Sequence, residues 1–388
     1  MSRWEKVRLG DVGTFRTGGT PPRSNPEFFQ GNIPWITTVA LGKRVIDETD
    51  AIEFISEEAL KKSSTKLIKA KSIMIGIRVG VGKTSINAVD MATNQDIVSI
   101  EDINEETFYK PYLMYFLNSC SKLFSSKKRG ATIQGIITDD LKNLMVPIPP
   151  MDVQIIISSS LDSISELLYL QKQQLDELDQ LIKSVFYEMF GDPVANEKGW
   201  EIKSIGSVFQ VETGATPSRG NYKYYEDATI PWVKTGEIEQ GYIFNTDEMI
   251  SQLAIQETNC KLFPQNTVLI AMYGQGKTRG RAGLLKISAA TNQACAAILP
   301  SESFNAEFLY RYLSINYETL RALGRGGNQE NLNLSMIRDF KLISPPLSMQ
   351  NNFTDIVSQI ESQKSLVKQS IDETQRLFDS LMSKYFDD

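Results

Sequence analysis

Two glycine-rich stretches, GVGKT at 80–84 and GQGKT at 274–278, are the segments of this 388-residue chain that most resemble a chemical site. Glycine, lysine and threonine in that order end a phosphate-binding loop, whose backbone N–H groups cradle a nucleotide while the lysine reaches its outer phosphates. Such a loop also needs a glycine five residues before the second one, where the chain must wrap the phosphate. Ile77 and Ala271 stand there, and both segments lie between strand-like runs and open no helix. Nucleotide binding is therefore disfavoured. The chain has no histidine, which removes every Ser-His-Asp and Cys-His nucleophile and every histidine-containing metal site. Its three cysteines, Cys120, Cys260 and Cys295, are scattered, with neither disulfide nor metal-ligand spacing. The prior moves from enzyme toward binding protein.

Read as binding elements, the same stretches are loops with positive tips: Arg78 and Lys83 in the first, Lys277, Arg279 and Arg281 in the second. A second pair of loops, KKRGATIQG at 127–135 and LGRGGNQEN at 323–331, carries Lys127, Lys128, Arg129 and Gln134 in one copy and Arg325, Asn328 and Gln329 in the other. Arginine offers a bidentate fork to guanine or phosphate, lysine a point charge, and Gln or Asn a donor–acceptor pair for adenine. A solvated loop is the competing reading. A third pair is TGGTP (Thr17, Gly18, Gly19, Thr20, Pro21) and TGATP (Thr213 to Pro217, with Thr216). Glycine permits a positive φ and proline fixes its own. The turn either closes a domain core, the favoured reading, or brings free N–H groups with Arg23 or Arg219 to a phosphate.

Everything so far comes in twos. WEKVRLGDV from Trp4 aligns with WEIKSIGSV from Trp200, IPW ends at Trp35 and at Trp232, and ATNQ occurs at 92–95 and 290–293. VGKT at 81–84 is echoed by QGKT at 275–278. PIPPMDVQ before Ile155 matches ISPPLSMQ before Asn351 at the same offset, 196 residues, as the two TG[GA]TP turns. An internal repeat of this size means two copies of one domain, as the chain length also suggests.

Each Pro-Pro is followed by a heptad stripe. Ile157, Leu161, Ile164, Leu168, Leu175, Leu178, Ile182, Val185 and Met189 keep 4-3 spacing, broken at Gln171. Phe353, Val357, Ile360, Val367, Ile371, Phe378, Leu381 and Tyr385 repeat it, with polar Lys364 and Thr374 as exceptions. Two amphipathic helices of roughly 50 Å follow, each the obvious partner of the other. Segments from Lys71, Ile86, Asn266 and Ala282 have strand patterning, and those from Thr107 and Phe304 helical patterning. The predicted class is α+β: mixed α/β domains at 1–150 and 193–346, long helices at 151–192 and 347–388. If the helices pair antiparallel, a pseudo-twofold axis relates the halves and the domains sit at opposite ends of a rod.

No apolar run approaches the roughly 18 residues that span a bilayer, and the first residues lack a signal-peptide core, so a soluble cytoplasmic protein without a membrane partner is expected. The net charge of -6 is unevenly spread. Basic against acidic residues number 20 and 17 over 1–150, 3 and 9 over 151–199, 14 and 14 over 200–346, and 4 and 7 over 347–388. The acidic excess lies in the helices, and the domains remain free to bind nucleic acid.

The doubled set of motifs, in order along the whole chain, resembles the DNA specificity subunit of Type I restriction-modification systems. That resemblance implies that each domain is a target-recognition domain reading one half of a bipartite, asymmetric site in double-stranded DNA. It implies that the helices form an antiparallel coiled-coil spacer and bind two modification methyltransferase subunits, joined by restriction/translocase subunits. It further implies that the chain has no catalytic residues or cofactor, with S-adenosylmethionine, ATP and Mg belonging to the partners. Consistently, neither Pro-Pro is preceded by the Asn or Asp of an adenine-methyltransferase motif. The alternatives are a coiled-coil scaffold for protein, favoured by the acidic total, and a nucleotide-dependent enzyme using the GKT loops.

Overall fold

The computed structural model describes residues 4–127, 135–274, 277–325 and 331–387. It divides into two units, Met1–Lys172 with Gln369–Asp388, and Gln173–Lys368. The two units repeat one sheet plan. In the first, a five-stranded sheet has the order Thr14–Thr17, Ile97–Glu101, Ile73–Gly76, Thr84–Asn87, Val45–Ile46. In the second the order is Val211–Thr213, Cys295–Ile298, Val268–Ala271, Ala282–Leu285, Tyr242–Ile243. Only the last pair in each is parallel. A four-stranded sheet accompanies each: Glu53–Ile55, Ile33–Ile36, Met91–Thr93, Leu67–Ile68, and Met249–Ile250, Ile230–Val233, Ala289–Thr291, Leu262–Phe263. The central strands are apolar on both faces. Ile73, Met74 and Ile75, like Val268, Leu269 and Ile270, are wholly buried, with the helix Lys110–Ser119 or Ala306–Ile315 packed in the same unit.

The long helices, Met151–Phe190 and Leu347–Phe386, begin directly after Pro150 and Pro346. Proline is compatible with the residues ahead of a helix because no intrahelical partner awaits its missing N–H. A fully buried glutamine then anchors each start. Gln154 Nε2 donates to the Pro149 carbonyl at 2.9 Å and its Oε1 accepts the Tyr109 N–H at 2.9 Å; Gln350 repeats this with Pro345 and Asn305 at 2.9 and 2.9 Å. Each short helix is thereby tied to the start of its long helix.

The helices pair antiparallel within each unit. In the first, Ile157 and Leu161 share a cluster with Phe378, Leu381, Met382 and Tyr385, whereas Gln171 donates to Ser370 and Thr374 at 2.8 and 3.2 Å. In the second, Leu178, Ile182 and Phe186 pack with Phe353, Val357 and Ile360, and Lys364 reaches Asp179 at 2.7 Å. The residues that interrupt the heptads thus find one another or a carboxylate.

All the predicted seam positions are buried or half-buried. Toward Phe190 the most buried face moves to Phe186 and Phe190, each 0 % exposed, and Val185 and Met189 are only half-buried. A straight helix drifts about 20° per heptad against a strict 3.5 repeat, and here it faces a globular core as well as its partner helix. By length and composition alone the first long helix is apolar enough to cross a membrane, with an 18-residue window of mean hydropathy 1.2, although no uninterrupted apolar run in it is that long. Its stripe is committed to the cores just described.

Candidate nucleic-acid interface

The repeated phrases meet in space. Gly18 and Gly19 donate their N–H groups to Ile97 and Thr93 at 3.1 and 2.8 Å, and Ala215 donates to Thr291 at 3.0 Å. The Gly19 carbonyl accepts the Trp35 indole N–H at 3.2 Å, and the Ala215 carbonyl accepts that of Trp232 at 3.1 Å. Thr20 donates to Gln95 Oε1 at 2.6 Å, and Thr216 to Gln293 Oε1 at 2.5 Å. Each TG[GA]TP turn is therefore a clasp over ATNQ and the IPW tryptophan. A Cβ on Gly18 would lie 2.1 Å from Thr93 Oγ1, and one on Gly214 1.9 Å from the Thr291 carbonyl, which explains the glycine. The N–H groups of Gly18 and Gly19 are used internally, so the core-closing reading of the turn prevails over the one that offered them to phosphate.

Arg23 and Arg219 are occupied too. Arg23 makes a fork to Glu53 at 2.6 and 2.8 Å with its guanidinium 4.5 Å from the Phe29 ring centre. Arg219 binds Glu248 at 2.6 Å and lies 4.6 Å from Tyr225. Hydrogen bonds from Lys234 and Arg219 hold the Glu248 carboxyl below its ordinary range. Thr17 ends its strand exposed, and Thr213 donates to the Gln293 and Cys295 carbonyls at 3.1 and 3.1 Å.

The GKT stretches are hairpin loops, as predicted, but the two are not in register. Gly76 N–H binds the Lys83 carbonyl at 2.9 Å and Gly82 N–H binds the Gly76 carbonyl at 2.9 Å. The matching bonds are Ala271 to Arg281 at 2.9 Å and Gly280 to Ala271 at 2.8 Å. Gly82 and Gly280 also share φ, 84° and 85°. Lys83 therefore corresponds to Arg281 and not to Lys277. Lys83 lies seven positions after Gly76 and Arg281 ten after Ala271, so the second loop is three residues longer.

The extra length is held by Tyr317, whose hydroxyl donates to the Lys277 carbonyl at 2.7 Å and accepts from Arg321 at 2.5 Å. Arg281 donates to the same carbonyl at 3.3 Å and lies 5.1 Å from the Tyr317 ring centre. Lys277, Arg279, Arg281 and Arg321 form a basic cluster. Among the described residues, no ion pair involves Lys277, Arg279 or Arg281. In the first unit Lys83 is exposed, and Arg78 approaches Asp96 at 3.3 Å.

Each hairpin strand is followed by a residue bonded on both sides. Ile77 N–H binds Asp96 and its carbonyl accepts from Ile136, at 2.8 and 2.8 Å; Met272 does the same with Ala294 and Leu332, at 2.8 and 3.0 Å. The end of each RG segment is thus anchored beside the hairpin loop and the ATNQ turn. In the first unit Thr17, Arg78, Gln95, Ile136 and Ile137 line one cleft of about 350 Å³. Lys128, Arg129, Gln134, Asn328 and Gln329, with the side chains of Lys127 and Arg325, lie outside the described residues. Gln95, Gln293, Tyr317 and Arg321 escaped the sequence reading. The two glutamines carried a signal, since both belong to a repeated tetrapeptide. Tyr317 carried none.

The cysteines do not offer a nucleophile. Burial pushes the Cys120 thiol up to about 11, and raises Cys260 and Cys295 as well.

The profile of the Type I restriction modification DNA specificity domain matches this chain twice, over residues 1–180 and 197–376. The chain belongs to the Type I DNA specificity family. Among curated relatives, the Type I restriction enzyme MjaIX specificity subunit of Methanocaldococcus jannaschii is 24 % identical over 375 residues, covering 91 % of this chain and 86 % of the relative. The EcoR124I/EcoR124II specificity subunit of Escherichia coli is 32 % identical over 166 residues, covering 41 % and 40 %. The specificity-family fold recurs in solved structures. The S subunit of a Type I system from M. genitalium superposes with a TM-score of 0.58 at 15 % identity, over 100 % of this chain and 96 % of that one. A chain from a study of complex assembly and conformational transition of the Type I system gives 0.65 at 18 %, over 99 % and 97 %.

Proposed function

We propose that this chain is the DNA-reading subunit of a Type I restriction-modification complex. Each unit reads one half of a bipartite, asymmetric site in double-stranded DNA, through its hairpin loop, its RG loop and the basic residues beside them. The helix pair sets the spacing and docks two modification methyltransferase subunits, with restriction/translocase subunits completing the assembly. Catalysis lies in those partners, as do S-adenosylmethionine, ATP and Mg. The DNA-contact set comprises Arg78, Lys83, Lys277, Arg279 and Arg281 with the RG-loop residues 127–129, 134, 325, 328 and 329. Thr17, Thr20, Thr213 and Thr216 flank it. Arg23 and Arg219 brace the fold beside it.

One observation carries the reading: a single frame occurs twice, and on it the chain just after each RG segment is bonded beside the hairpin loop, while the hairpin loops differ in length and the RG segments in sequence. Two unlike readers on a common frame suit two unlike half-sites. The test is duplex retention by the assembled complex against salt, together with mapping of methylated adenines. Affinity should fall linearly on a log–log plot as phosphate contacts are screened. Flat salt dependence, or methylation unaffected by loss of this chain, overturns the proposal.

A further inference from the structure

The clasp between TG[GA]TP and ATNQ leaves an unused group at its surface. Gln95 and Gln293 are exposed, and each has its Oε1 taken by the hydroxyl of Thr20 or Thr216 at 2.6 or 2.5 Å. With the hydroxyl donating and Oε1 accepting, Nε2 is the outward end of each carboxamide. The two Nε2 donors are left over, and among the described residues neither meets a hydrogen-bond partner. An exposed glutamine held in one orientation loses side-chain entropy without burying apolar surface. Such a geometry is more useful to a ligand than to the fold.

The ligand is narrowed by the repetition. The hairpin loops differ by three residues and the RG segments differ in sequence, as readers of different half-sites must. Gln95 and Gln293 instead keep the same partner and nearly the same distance in both units. A contact that is identical in two domains of different specificity must meet something common to both half-sites, and in duplex DNA that is the sugar–phosphate backbone. In the first unit the glutamine shares its cleft with Arg78, a cation suited to the same ligand.

Resting on the DNA-reading function above, we infer that Gln95 and Gln293 are matched backbone contacts, each donating its Nε2 to a DNA phosphate and each aimed by its threonine. Thr20 and Thr216 are positioning residues. The contribution is sequence-independent: it sets how tightly and in what register each unit sits on its half-site.

The experiment measures duplex affinity of the full chain assembled with its methyltransferase subunits, with specific and scrambled sequences, for Q95A, Q293A, T20V and the T20V/Q95A pair. Each glutamine variant should weaken binding about 3- to 10-fold, the size of one lost hydrogen bond, on specific and scrambled duplexes alike. Methylated sites should be unchanged. T20V should weaken binding less, and add nothing in the Q95A background. Wild-type affinity in both glutamine variants overturns the inference, as does a loss confined to duplexes altered at one base pair, or additive effects of T20V and Q95A. A loss explained by a lower melting temperature also overturns it. If the unmutated assembly binds DNA without salt dependence, the functional reading itself fails, and that outcome is separate from the others.

Discussion

Side chains near the candidate interface divide into those already engaged and those left to meet a ligand. Arg23 with Glu53, and Arg219 with Glu248, are stacked on aromatic rings in equivalent places, so their charge is answered within the fold. Lys277, Arg279 and Arg281 instead stand on a loop braced through the Lys277 carbonyl by Tyr317. Tyr317→Phe removes the hydroxyl and keeps the ring. It should lower DNA affinity of the assembled complex about 3- to 10-fold. The melting temperature should move by less than about 4 °C, since one hydrogen bond is about 1 kcal/mol in a domain of this size. Selective loss of methylation at one half-site class would accompany it. The sequence places these three cations on one loop but could not supply the brace, because Tyr317 lies 40 positions from Lys277 and in no repeated phrase.

Among elements, the long helices contribute apolar side chains to a core of each unit. Phe186 is fully buried against Phe190, Phe308, Tyr312 and Phe353, with ring centres 5.2 to 6.2 Å away. Phe186→Ala should destabilise the second unit by about 3–5 kcal/mol, read as an earlier denaturant midpoint. The same unit holds a buried ionic network. Arg311 binds Glu307 at 3.0 Å and Glu361 at 2.6 Å, and Lys364 joins Glu361 at 3.0 Å. Burial by itself would raise the Glu361 carboxyl, and the hydrogen bonds from Arg311 and Lys364 outweigh it, holding the group below its ordinary 4.5. Stability from a depressed carboxyl is present above its unfolded value and is lost as pH falls through the folded one. Melting temperature should therefore drop below about pH 4.5, and Glu361→Gln should flatten that acid limb. Heptad spacing revealed the helices and their breaks at Gln171, Lys364 and Thr374. The shift to Phe186 and Phe190 follows from the domain they face, which helical period alone does not encode.

For the molecule as a whole, the two units are built from interleaved stretches of chain, each containing part of both long helices. This bears on the ruler role proposed for the helix pair. Inserting seven residues in both helices, after Lys172 and after Lys368, preserves the heptad phase. It should lengthen the spacer between methylated half-sites by about three base pairs, since seven residues rise about 10.5 Å and a base pair about 3.4 Å. The half-sites should stay the same. Altered half-site sequences with an unchanged spacer would disprove the ruler.

Sequence by itself determined that there are two copies of one domain, that a long amphipathic helix follows each, and that neither histidine chemistry nor a nucleotide loop is available. Those are properties of order, period and composition, which survive without coordinates. Only the tertiary structure decided that the repeated TG[GA]TP and ATNQ phrases clasp one another, that Lys83 answers to Arg281 and not to Lys277, and that the shared turn spends its N–H groups on its own core. The reason is physical: each of these depends on hydrogen bonds between segments far apart in the chain, and in the hairpins the backbone pairing overrides the likeness of the letters.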